Sequence, residues 1–361
     1  MSDVSQLVRN ASRFREVVAI LSKHGLADWL SGVNLPWLEG LKGRDADTQL
    51  TTEQRIRVAI TELGTTFIKL GQVLSTRSDL VGDDLAEELA LLRSNTPANP
   101  FDEVRAIVEA DLGQTVEHLF AEFDETAIAS ASVGQVHLAK TNEGDSVVVK
   151  VQHPGIENRI VNDLEIIVRL ARIAEERSAQ LRQYQPVKTA QEFQKTLMQE
   201  LNYTRELRNI EKFHRNFADE PGVRFPKAFP QLSSRRVLTM ERFNGISFSN
   251  KDELLRTGLD LSELAKRGAN LFLTMVFRDG FYHADPHPGN LMVLATQQAS
   301  DPAQASADIG ILDCGMVGRV DEGLRDELEQ LLIAAVQQDV DQVTKGVVRI
   351  GQVPPNFDEA A

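Results

Sequence analysis

The sequence has little of several features that mark particular classes of protein. Its one cysteine, Cys314, excludes an intramolecular disulfide and any metal site built from several thiolates. Basic residues are in deficit, with 39 Lys and Arg against 53 Asp and Glu, and the net charge of −14 argues against nucleic acid as a partner. No apolar run reaches about 18 residues, so we expect no segment that spans a bilayer. What remains is an acidic chain of 361 residues, long enough for two lobes with cores of their own.

Two segments near the C-terminus have the layout of a phosphotransfer site. Asp285 and Asn290 lie five positions apart in a loop that leads into an apolar strand over 291–294, and a second apolar stretch ends at Asp313, followed by Cys and Gly. Mg²⁺ prefers oxygen ligands, usually one or two carboxylates with phosphate oxygens and water. The pattern predicts that Asp285 orients or deprotonates an acceptor while Asn290 and Asp313 hold Mg²⁺ on nucleotide phosphates. The alternative is that these residues only terminate strands.

An ATP-binding lobe is predicted upstream of that loop. Residues 133–139 and 146–152 are typical of two strands joined by a turn over 141–145. In the second strand three valines share one face, while Lys150 lies on the other face with Val148 and Gln152. A lysine in such a strand is costly to bury without an anionic partner, and phosphate oxygens and a glutamate supply that partner in kinases. The alternative is an edge-strand lysine that reaches solvent.

The glutamate is expected on a helix predicted over about 189–216, whose apolar residues recur at spacings near three, four and seven. Asn202 and Glu206 are four residues apart and share a face, whereas Glu200 projects elsewhere. We choose Glu206 as the partner of Lys150. The alternative is that it is one of many solvated charges on this helix.

With these residues in place, the chain resembles the UbiB family of atypical kinase-like proteins, which is associated with ubiquinone and other prenylquinone biosynthesis. The segment Phe67 to Gln72 is similar to the family's K-x-G-Q motif, and the segment Ala129 to His137 is similar to its alanine-rich nucleotide loop. The segments Val149 to Gly155 and Glu200 to Glu206 resemble the lysine strand and the E-x-D helix. The resemblance extends from about Leu50 to the C-terminus. It implies ATP and Mg²⁺ as cofactors.

The resemblance assigns roles to individual residues. The catalytic set is Asp285, Lys150 and Glu206, and the metal set is Asn290 and Asp313. The nucleotide-binding set consists of Ala129, Ser130, Ala131, Ser132, Val133, Gly134, Gln135, Val136 and Lys150, with Glu241 and Phe243 at a hinge after a strand predicted over 237–241. The regulatory set is Lys69, Gly71, Gln72, Glu200 and Asn202. Of these, Lys69 and Gln72 are expected over the active-site cleft, where they would exclude peptide substrates. The alternative for Gly71 is a purely structural role, in which it only permits helix packing.

The chain departs from the family pattern at four places. Position 202 is Asn where E-x-D has Asp, which leaves Glu200 as the carboxylate expected to pair with Lys69. Ser130 replaces one alanine of the loop, and Cys314 replaces the Phe of the protein-kinase D-F-G, where we expect a small buried filler. No Arg lies between His283 and Asp285, so we expect no activation-loop phosphosite of the kind that such an Arg binds.

The expected fold is α+β, a bilobal protein-kinase-like fold with a helical N-terminal extension that carries K-x-G-Q. We expect N-terminal amphipathic helices and a linker over 1–50, the K-x-G-Q extension over 51–127, and a small lobe over 128–243 with a long inserted helix over 157–184. The large lobe is expected over 244–361. It contains a polar excursion over 295–308 and ends where family members usually continue, as if truncated.

Three functions are open at this point. The first is a UbiB-type ATPase or phosphotransferase that supports isoprenoid-quinone synthesis, in the cytoplasm and peripherally bound to the inner membrane. Its partners would be quinone-biosynthesis proteins or lipid precursors. The second is a small-molecule kinase of the aminoglycoside or choline type, and the third is a nucleotide-binding scaffold without turnover. The K-x-G-Q block and the alanine-rich loop favour the first over the second, and the complete set of kinase residues argues against the third.

An amphipathic stretch over about 4–30 is a candidate for holding the protein at a lipid surface. Its apolar stripe contains Phe14, Val17 and Leu21, and residues 1–23 carry four basic and two acidic side chains. The alternative is that this stripe packs on the protein's own large lobe.

Overall fold

The computed structural model describes residues 2–26, 50–93, 96–177, 182, 184–295 and 307–351. The chain folds into two compact units: the first comprises Met1–Thr204 and Phe229–Thr239, and the second comprises Arg205–Ala228 and Met240–Ala361. These units differ from the predicted boundaries after residues 50, 127 and 243. The N-terminal helix and the K-x-G-Q helices do not stand apart, because their apolar faces share one core with helices that follow the lysine strand.

The helices of the described residues are numbered in chain order. They are α1 (Ser2–Lys23), α2 (Thr52–Leu63), α3 (Thr65–Ser75), α4 (Ser78–Val81), α5 (Asp83–Ala90), α6 (Phe101–Leu112), α7 (Val116–Leu119), α8 (Ile156–Arg177), α9 (Pro186–Glu200), α10 (Tyr203–Asn216), α11 (Lys251–Arg256), α12 (Leu261–Leu273), α13 (Glu322–Val336) and α14 (Val340–Ile350). In the part of the chain that the structure describes, none of them is both long and apolar enough to cross a membrane.

The strands are short and mostly antiparallel. They are β1 (Phe120–Phe123), β2 (Ala129–Ser130), β3 (Gly134–Thr141), β4 (Ser146–Gln152), β5 (Val223–Arg224), β6 (Val237–Glu241), β7 (Ile246–Ser247), β8 (Phe281–His283), β9 (Leu291–Ala295), β10 (Ala307–Ile311) and β11 (Val317–Arg319). One sheet has the order β1-β3-β4-β6, with β2 pairing β3; a second has the order β5-β10-β9-β7; and β11 pairs β8.

The lysine strand β4 has the predicted two-faced pattern. Val147, Val149 and Val151 are fully buried against α6, while Lys150 lies half-buried on the opposite face. The antiparallel register places Val136 of β3 directly across from Lys150. Alternation of side chains along the strand therefore separates the core from the face that carries the lysine.

Helix α1 is an integral part of the first unit. Val17 and Ile20 belong to the same buried cluster as residues of α2, α3, α8 and α9, and Phe14 and Leu21 pack against that cluster. The stripe proposed to face lipid is thus covered by the protein itself. The helices that cover it belong to the first unit, whereas the alternative prediction named the large lobe. Trp29, Trp37 and the predicted linker up to residue 49 lie outside the described residues.

A buried ion pair fixes α1 in place. The Arg13 guanidinium donates to the Asp163 carboxylate on α8, with Nε 2.7 Å from Oδ1, and also to the Leu63 carbonyl at the end of α2, 2.7 Å away. Asp163 is 1% exposed. Burial lowers the pKa of Arg13, but the hydrogen bonds to Asp163 and Glu16 outweigh it, so the net pKa is raised and Arg13 stays charged.

The single helix predicted over 189–216 is wrong, because the chain forms two helices, α9 and α10, with a break at Leu201 and Asn202. The Asn202 side chain accepts a hydrogen bond from the Thr204 N–H at 3.1 Å, which satisfies one of the unpaired donors that begin a helix. Leu201 is fully buried, and its carbonyl accepts a bond from the Gln152 amide at 2.8 Å. Glu200 therefore ends one helix and Glu206 lies in the first turn of the next.

A second correction concerns the segment 101–123 of the extension over 51–127, which was predicted to be helical. Its last four residues form β1, which pairs with β3 in antiparallel register, Phe123 opposite Ala139. Gly113 ends α6 in the left-handed conformation at φ 75°, and Phe120 packs with the valines of β4. Pairing with an exposed sheet edge and burial of Phe120 favour the strand over continued helix.

The second unit presents the loop between β8 and β9. Strand β8 follows α12 through a π-helical turn over Thr274–Arg278, and β9 pairs with β10 so that Leu291 lies opposite Ile311. This pairing brings the residue before β9 and the residues after β10 to the same end of the sheet. The predicted excursion between these strands lies mainly at 296–306, outside the described residues.

Candidate phosphotransfer site

The loop after β8 is organised by a buried histidine. His283 is 2% exposed; its Nδ1 accepts a hydrogen bond from the Asp285 N–H at 3.2 Å, and its Nε2 bonds to the Asp313 carbonyl. Because a backbone N–H can only donate and a carbonyl can only accept, these partners define the neutral tautomer with the proton on Nε2. His283 thus joins the start of the loop to the predicted metal segment.

Asp285 and Asn290 contact each other across the loop. The Asn290 Nδ2 donates to the Asp285 carboxylate at 2.9 Å and to its carbonyl at 3.2 Å. These bonds orient the exposed Asp285 carboxylate and leave the Asn290 Oδ1 as the amide's acceptor atom. The short 3₁₀ turn over Pro288–Asn290 delivers Asn290 to the start of β9.

Asp313 lies beside Asn290, as predicted. The Leu312 N–H donates to the Asn290 carbonyl at 2.9 Å, which continues the β9–β10 pairing by one step. The Asp313 Oδ1 accepts a hydrogen bond from the Gly315 N–H at 2.8 Å. The structure therefore brings Asp285, Asn290 and Asp313 together in the second unit.

Glu206 belongs to the same unit and approaches the same turn. A Cβ placed on Gly315 would lie 3.1 Å from the Asp313 Oδ1 and 3.8 Å from the Glu206 Oε2, so two carboxylates lie close to one point. Glu206 is 5% exposed. A buried carboxylate needs a cation or hydrogen bonds to offset its desolvation. The expected pairing of Glu206 with Lys150 joins residues of different units and stays a prediction.

The residues fit Mg²⁺ held together with a nucleotide better than Mg²⁺ held by protein alone. Asn290 and Asp313 offer an amide and a carboxylate oxygen, the hard donors that this ion prefers. Within the described ranges, no group of three or more His, Cys, Asp or Glu side chains is arranged to hold a metal. The remaining ligands would have to be phosphate oxygens and water.

The predicted nucleotide loop lies in the first unit, between β2 and β3. The Ala131 N–H donates to the Gly134 carbonyl at 2.9 Å, and the His153 N–H donates to the Val133 carbonyl at 2.9 Å. The His153 Nε2 contacts the Ala131 carbonyl at 2.8 Å. His153, which directly follows β4, therefore holds the loop at two points.

Gly134 lies at the base of this loop, at a position with no room for a side chain. A Cβ at this position would lie 2.4 Å from the Val151 carbonyl oxygen and 2.6 Å from the Tyr203 Oη. The Lys150 Nζ lies 5.7 Å from the centroid of the Tyr203 ring. The backbone of the loop thus passes close to the lysine strand because residue 134 has no side chain.

The Gln135 side chain is buried and forms hydrogen bonds within the first unit. It is 1% exposed, and its amide accepts a bond from the Asn99 N–H at 2.6 Å and lies 3.0 Å from the His137 Nε2. Gln135 lies opposite Val151, on the core face of the sheet, whereas Val136 lies opposite Lys150. Any contact from Gln135 to a nucleotide is therefore limited to its backbone.

The K-x-G-Q residues form their own contacts in the first unit. Lys69 forms an ion pair with Glu200, as predicted from the family pattern. The Gln72 side chain donates to the Leu92 carbonyl at 3.3 Å, and a Cβ on Gly71 would lie 2.4 Å from the Leu92 Cδ1. Gly71 thus permits close packing of α3 against the end of α5, as the packing alternative for this glycine expects. Asn202 caps α10, so its amide is used within the backbone.

The hinge residues are partly engaged. The Glu241 N–H donates to the Lys227 carbonyl at 2.8 Å, and its carboxylate binds Arg224, with Nη2 2.7 Å away. Phe243 is buried, and the Arg224 guanidinium carbon lies 5.1 Å from the centroid of its ring. The Glu241 N–H is therefore already used within the protein and would have to leave Lys227 to bind a base.

Asn209 is a residue at the metal segment that was not predicted from the sequence. It lies one turn after Glu206 on α10 and donates from Nδ2 to the Cys314 carbonyl at 2.9 Å. The only signal was its spacing of three from Glu206, which places both on one face of a helix.

No role was predicted for His153 or His283 either. Cys314 is fully buried, as expected of a filler.

Comparisons with known proteins agree with this arrangement. The ABC1 atypical kinase-like domain matches residues 91–347. The proteins named "Probable protein kinase UbiB" of Pseudomonas aeruginosa (strain LESB58) and Aeromonas hydrophila are each 38% identical over 351 residues, covering 97% and 95% of this chain and 64% and 63% of those proteins. The chain thus spans less than two thirds of the length of these relatives.

A solved structure is also similar. It is described as the complex of Rv3197 with erythromycin from Mycobacterium tuberculosis, and it is 25% identical with a TM-score of 0.58, covering 80% of this chain and 69% of that one. The fold is therefore kinase-like, with mixed helix and sheet and a helical N-terminal region. On these matches and on the motifs they contain, the chain belongs to the ABC1 atypical kinase-like family, which includes the UbiB proteins.

Proposed function

We propose that this protein binds Mg-ATP and transfers or hydrolyses its γ-phosphoryl group in support of isoprenoid-quinone biosynthesis at a membrane. The observation that carries the proposal is the contact of Asp285 with Asn290 and the pairing of Asn290 with the Asp313 strand end. Kinase-type transfer needs an acceptor-orienting carboxylate next to metal-holding oxygens, and these three residues supply both. The quinone pathway rests on family membership and on the name of the relatives.

The roles of the residues follow from their geometry. Asp285, held by the Asn290 amide, would orient the attacking hydroxyl or water and accept its proton. Asn290 and Asp313 would hold Mg²⁺, which neutralises charge on the phosphates when bound. In the first unit the 131–134 loop and Lys150 would contact the phosphates, because the loop backbone lies close to the lysine strand.

Partners and location are part of the proposal. The buried stripe of α1 argues against that stripe as the membrane contact. We therefore propose peripheral association with the inner membrane through other surfaces, with quinone-biosynthesis proteins or lipid precursors as partners. The K-x-G-Q block, whose Lys69 forms an ion pair with Glu200, gives no support to the alternative of a small-molecule kinase.

The test is ATP hydrolysis with and without liposomes, for the unmodified chain and for Asp285→Asn. Loss of the acceptor-orienting carboxylate should reduce turnover by about 10²–10⁴-fold, with Mg-ATP binding retained. Asp326→Asn, an exposed residue of α13 with the same change of charge, should keep full activity. Equal turnover in Asp285→Asn and the unmodified chain would overturn the assignment. Binding without any turnover would favour the scaffold.

A further inference from the structure

Two elements hold the turn that follows β10, and the first is β8 with the loop after it. The Asp313 carbonyl accepts a hydrogen bond from His283, and the Met316 carbonyl accepts one from the Ala284 N–H at 3.0 Å. Both donors belong to β8 and the loop after it. The loop that carries Asp285 therefore fixes the two ends of the turn.

The middle of the turn is held by a different element. The Cys314 carbonyl accepts the bond from the Asn209 side chain of α10 at 2.9 Å, and Cys314 is fully buried. A buried carbonyl that loses its partner costs free energy, because no water replaces the bond. Asn209 is thus a side-chain partner of this buried carbonyl.

One rigid peptide unit connects Asn209 to Asp313. The peptide bond between Cys314 and Gly315 contains the carbonyl that Asn209 holds and the N–H that donates to the Asp313 Oδ1 at 2.8 Å. A peptide unit is planar, so holding its carbonyl also fixes the direction of its N–H. Gly315 has no side chain, so no side-chain contact of its own adds a further restraint on the turn. The direction of the Asp313 carboxylate is therefore linked to the position of α10.

We propose that Asn209 is a positioning residue that sets the Asp313 carboxylate for Mg²⁺. The inference rests on the proposed function, because it concerns the same metal site. Glu206, one turn earlier on α10, lies beside the same turn, so the helix contacts the metal segment through both side chains. A shift of α10 would move Glu206 and release the Cys314–Gly315 peptide together.

The experiment measures ATP binding by calorimetry in excess Mg²⁺ and in EDTA, for the unmodified chain, Asn209→Leu and Asn209→Asp. Both variants have nearly the size of Asn but lack its N–H donor, so we expect Mg-ATP affinity to fall about tenfold while metal-free ATP binding changes less than about twofold. Binding of Mn²⁺ with ATP, followed by water proton relaxation, should weaken in parallel. Asn209→His places an N–H near the position of the amide nitrogen and should restore most of the metal dependence.

Arg208→Gln is the matched control, since it makes the net charge more negative by one, as Asn209→Asp does, at an exposed neighbouring position. It should keep the metal dependence of the unmodified chain. If Asn209→Leu and Asn209→Asp bind Mg-ATP like the unmodified chain, or if the metal-free affinity falls equally, the positioning role is wrong while the proposed function stands. If the unmodified chain binds ATP without any dependence on Mg²⁺, the proposed metal site itself is wrong and the inference fails with it.

Discussion

At the scale of single residues, Gly134 shows how one missing side chain permits the predicted nucleotide loop to approach β4. The position that its Cβ would occupy is within 2.6 Å of both the Val151 carbonyl oxygen and the Tyr203 hydroxyl. Gly134→Ala must therefore displace either the backbone of β4 or the first residue of α10. We expect the free energy of unfolding to fall by about 1–3 kcal/mol, as for overpacked cores. Chemical denaturation followed by circular dichroism measures it.

The matched control for this prediction is Gly323→Ala in α13. A Cβ there would meet only the Asp321 Oδ1 at 3.6 Å, an ordinary contact. Alanine in a helix is favoured over glycine by about 0.5–1 kcal/mol, so stability should hold or rise. Equal effects of the two substitutions would mean that Gly134 does not occupy a close-contact position.

Arg13 joins α1 to α8 and to the end of α2 through buried hydrogen bonds. Arg13→Met leaves the Asp163 carboxylate, 1% exposed, without its cation, and this should cost about 3–5 kcal/mol. Lys23 on the same helix pairs with Glu62 at side-chain exposures of 59% and 36%, so Lys23→Met should cost about 0–1 kcal/mol. Urea denaturation compares the two. A loss for Arg13→Met no larger than that for Lys23→Met would contradict the account.

At the scale of secondary-structure elements, β3 carries a histidine whose partners fix it as neutral. The His137 Nδ1 donates to the Asp124 carbonyl at 2.8 Å, and its Nε2 accepts from the Gln135 amide, whose orientation is set by Asn99. Burial lowers the pKa of His137, and the Asp124 carbonyl offsets this only in part. A second proton would place an N–H against the Gln135 donor.

A pH dependence of stability follows from this arrangement. The ordinary pKa of 6.5 applies to the unfolded chain, and the folded pKa is lower, so the unfolded state binds more protons as the pH falls below about 6.5. Stability should therefore decrease as the pH falls through and below about 6.5, with His137 contributing at most about 1.4 kcal/mol per pH unit. His137→Gln should flatten this slope, whereas His118→Gln, at an exposed position, should leave it unchanged. An unchanged slope in His137→Gln would show that another group titrates.

The elements also show what a sequence can and cannot predict. Strands β4, β6, β9 and β10 could be predicted because alternating or continuous apolar residues lie between turns. The break between α9 and α10 could not, since Leu201 continues the helical spacing while the Asn202 cap and the Gln152 bond depend on tertiary contacts. The core position of the Gln135 side chain could not be predicted for a related reason: the motif does not state which of its residues point to the core.

At the scale of the whole molecule, the site residues divide between the two units. Asn290 and Asp313 could be predicted together because they flank two paired strands of one sheet, β9 and β10, and Asp285 lies in the loop that leads into β9. Asn209 contacts Cys314 across 105 positions of sequence, and neither periodicity nor composition indicates such a contact. The predicted lobe boundaries differ from the units because residues 205–228, which include Glu206, belong to the unit that holds Asp285, Asn290 and Asp313.

Calorimetry of ATP binding to Asp313→Asn tests whether Asn290 and Asp313 hold a metal-bound nucleotide. With Mg²⁺ present, replacing one carboxylate by an amide should weaken binding tenfold or more, about 1.4 kcal/mol or above, and Asn290→Ala should act in the same direction but more mildly. In EDTA the unmodified chain and both variants should bind ATP equally. Mg-ATP affinity in Asp313→Asn equal to that of the unmodified chain would contradict the account.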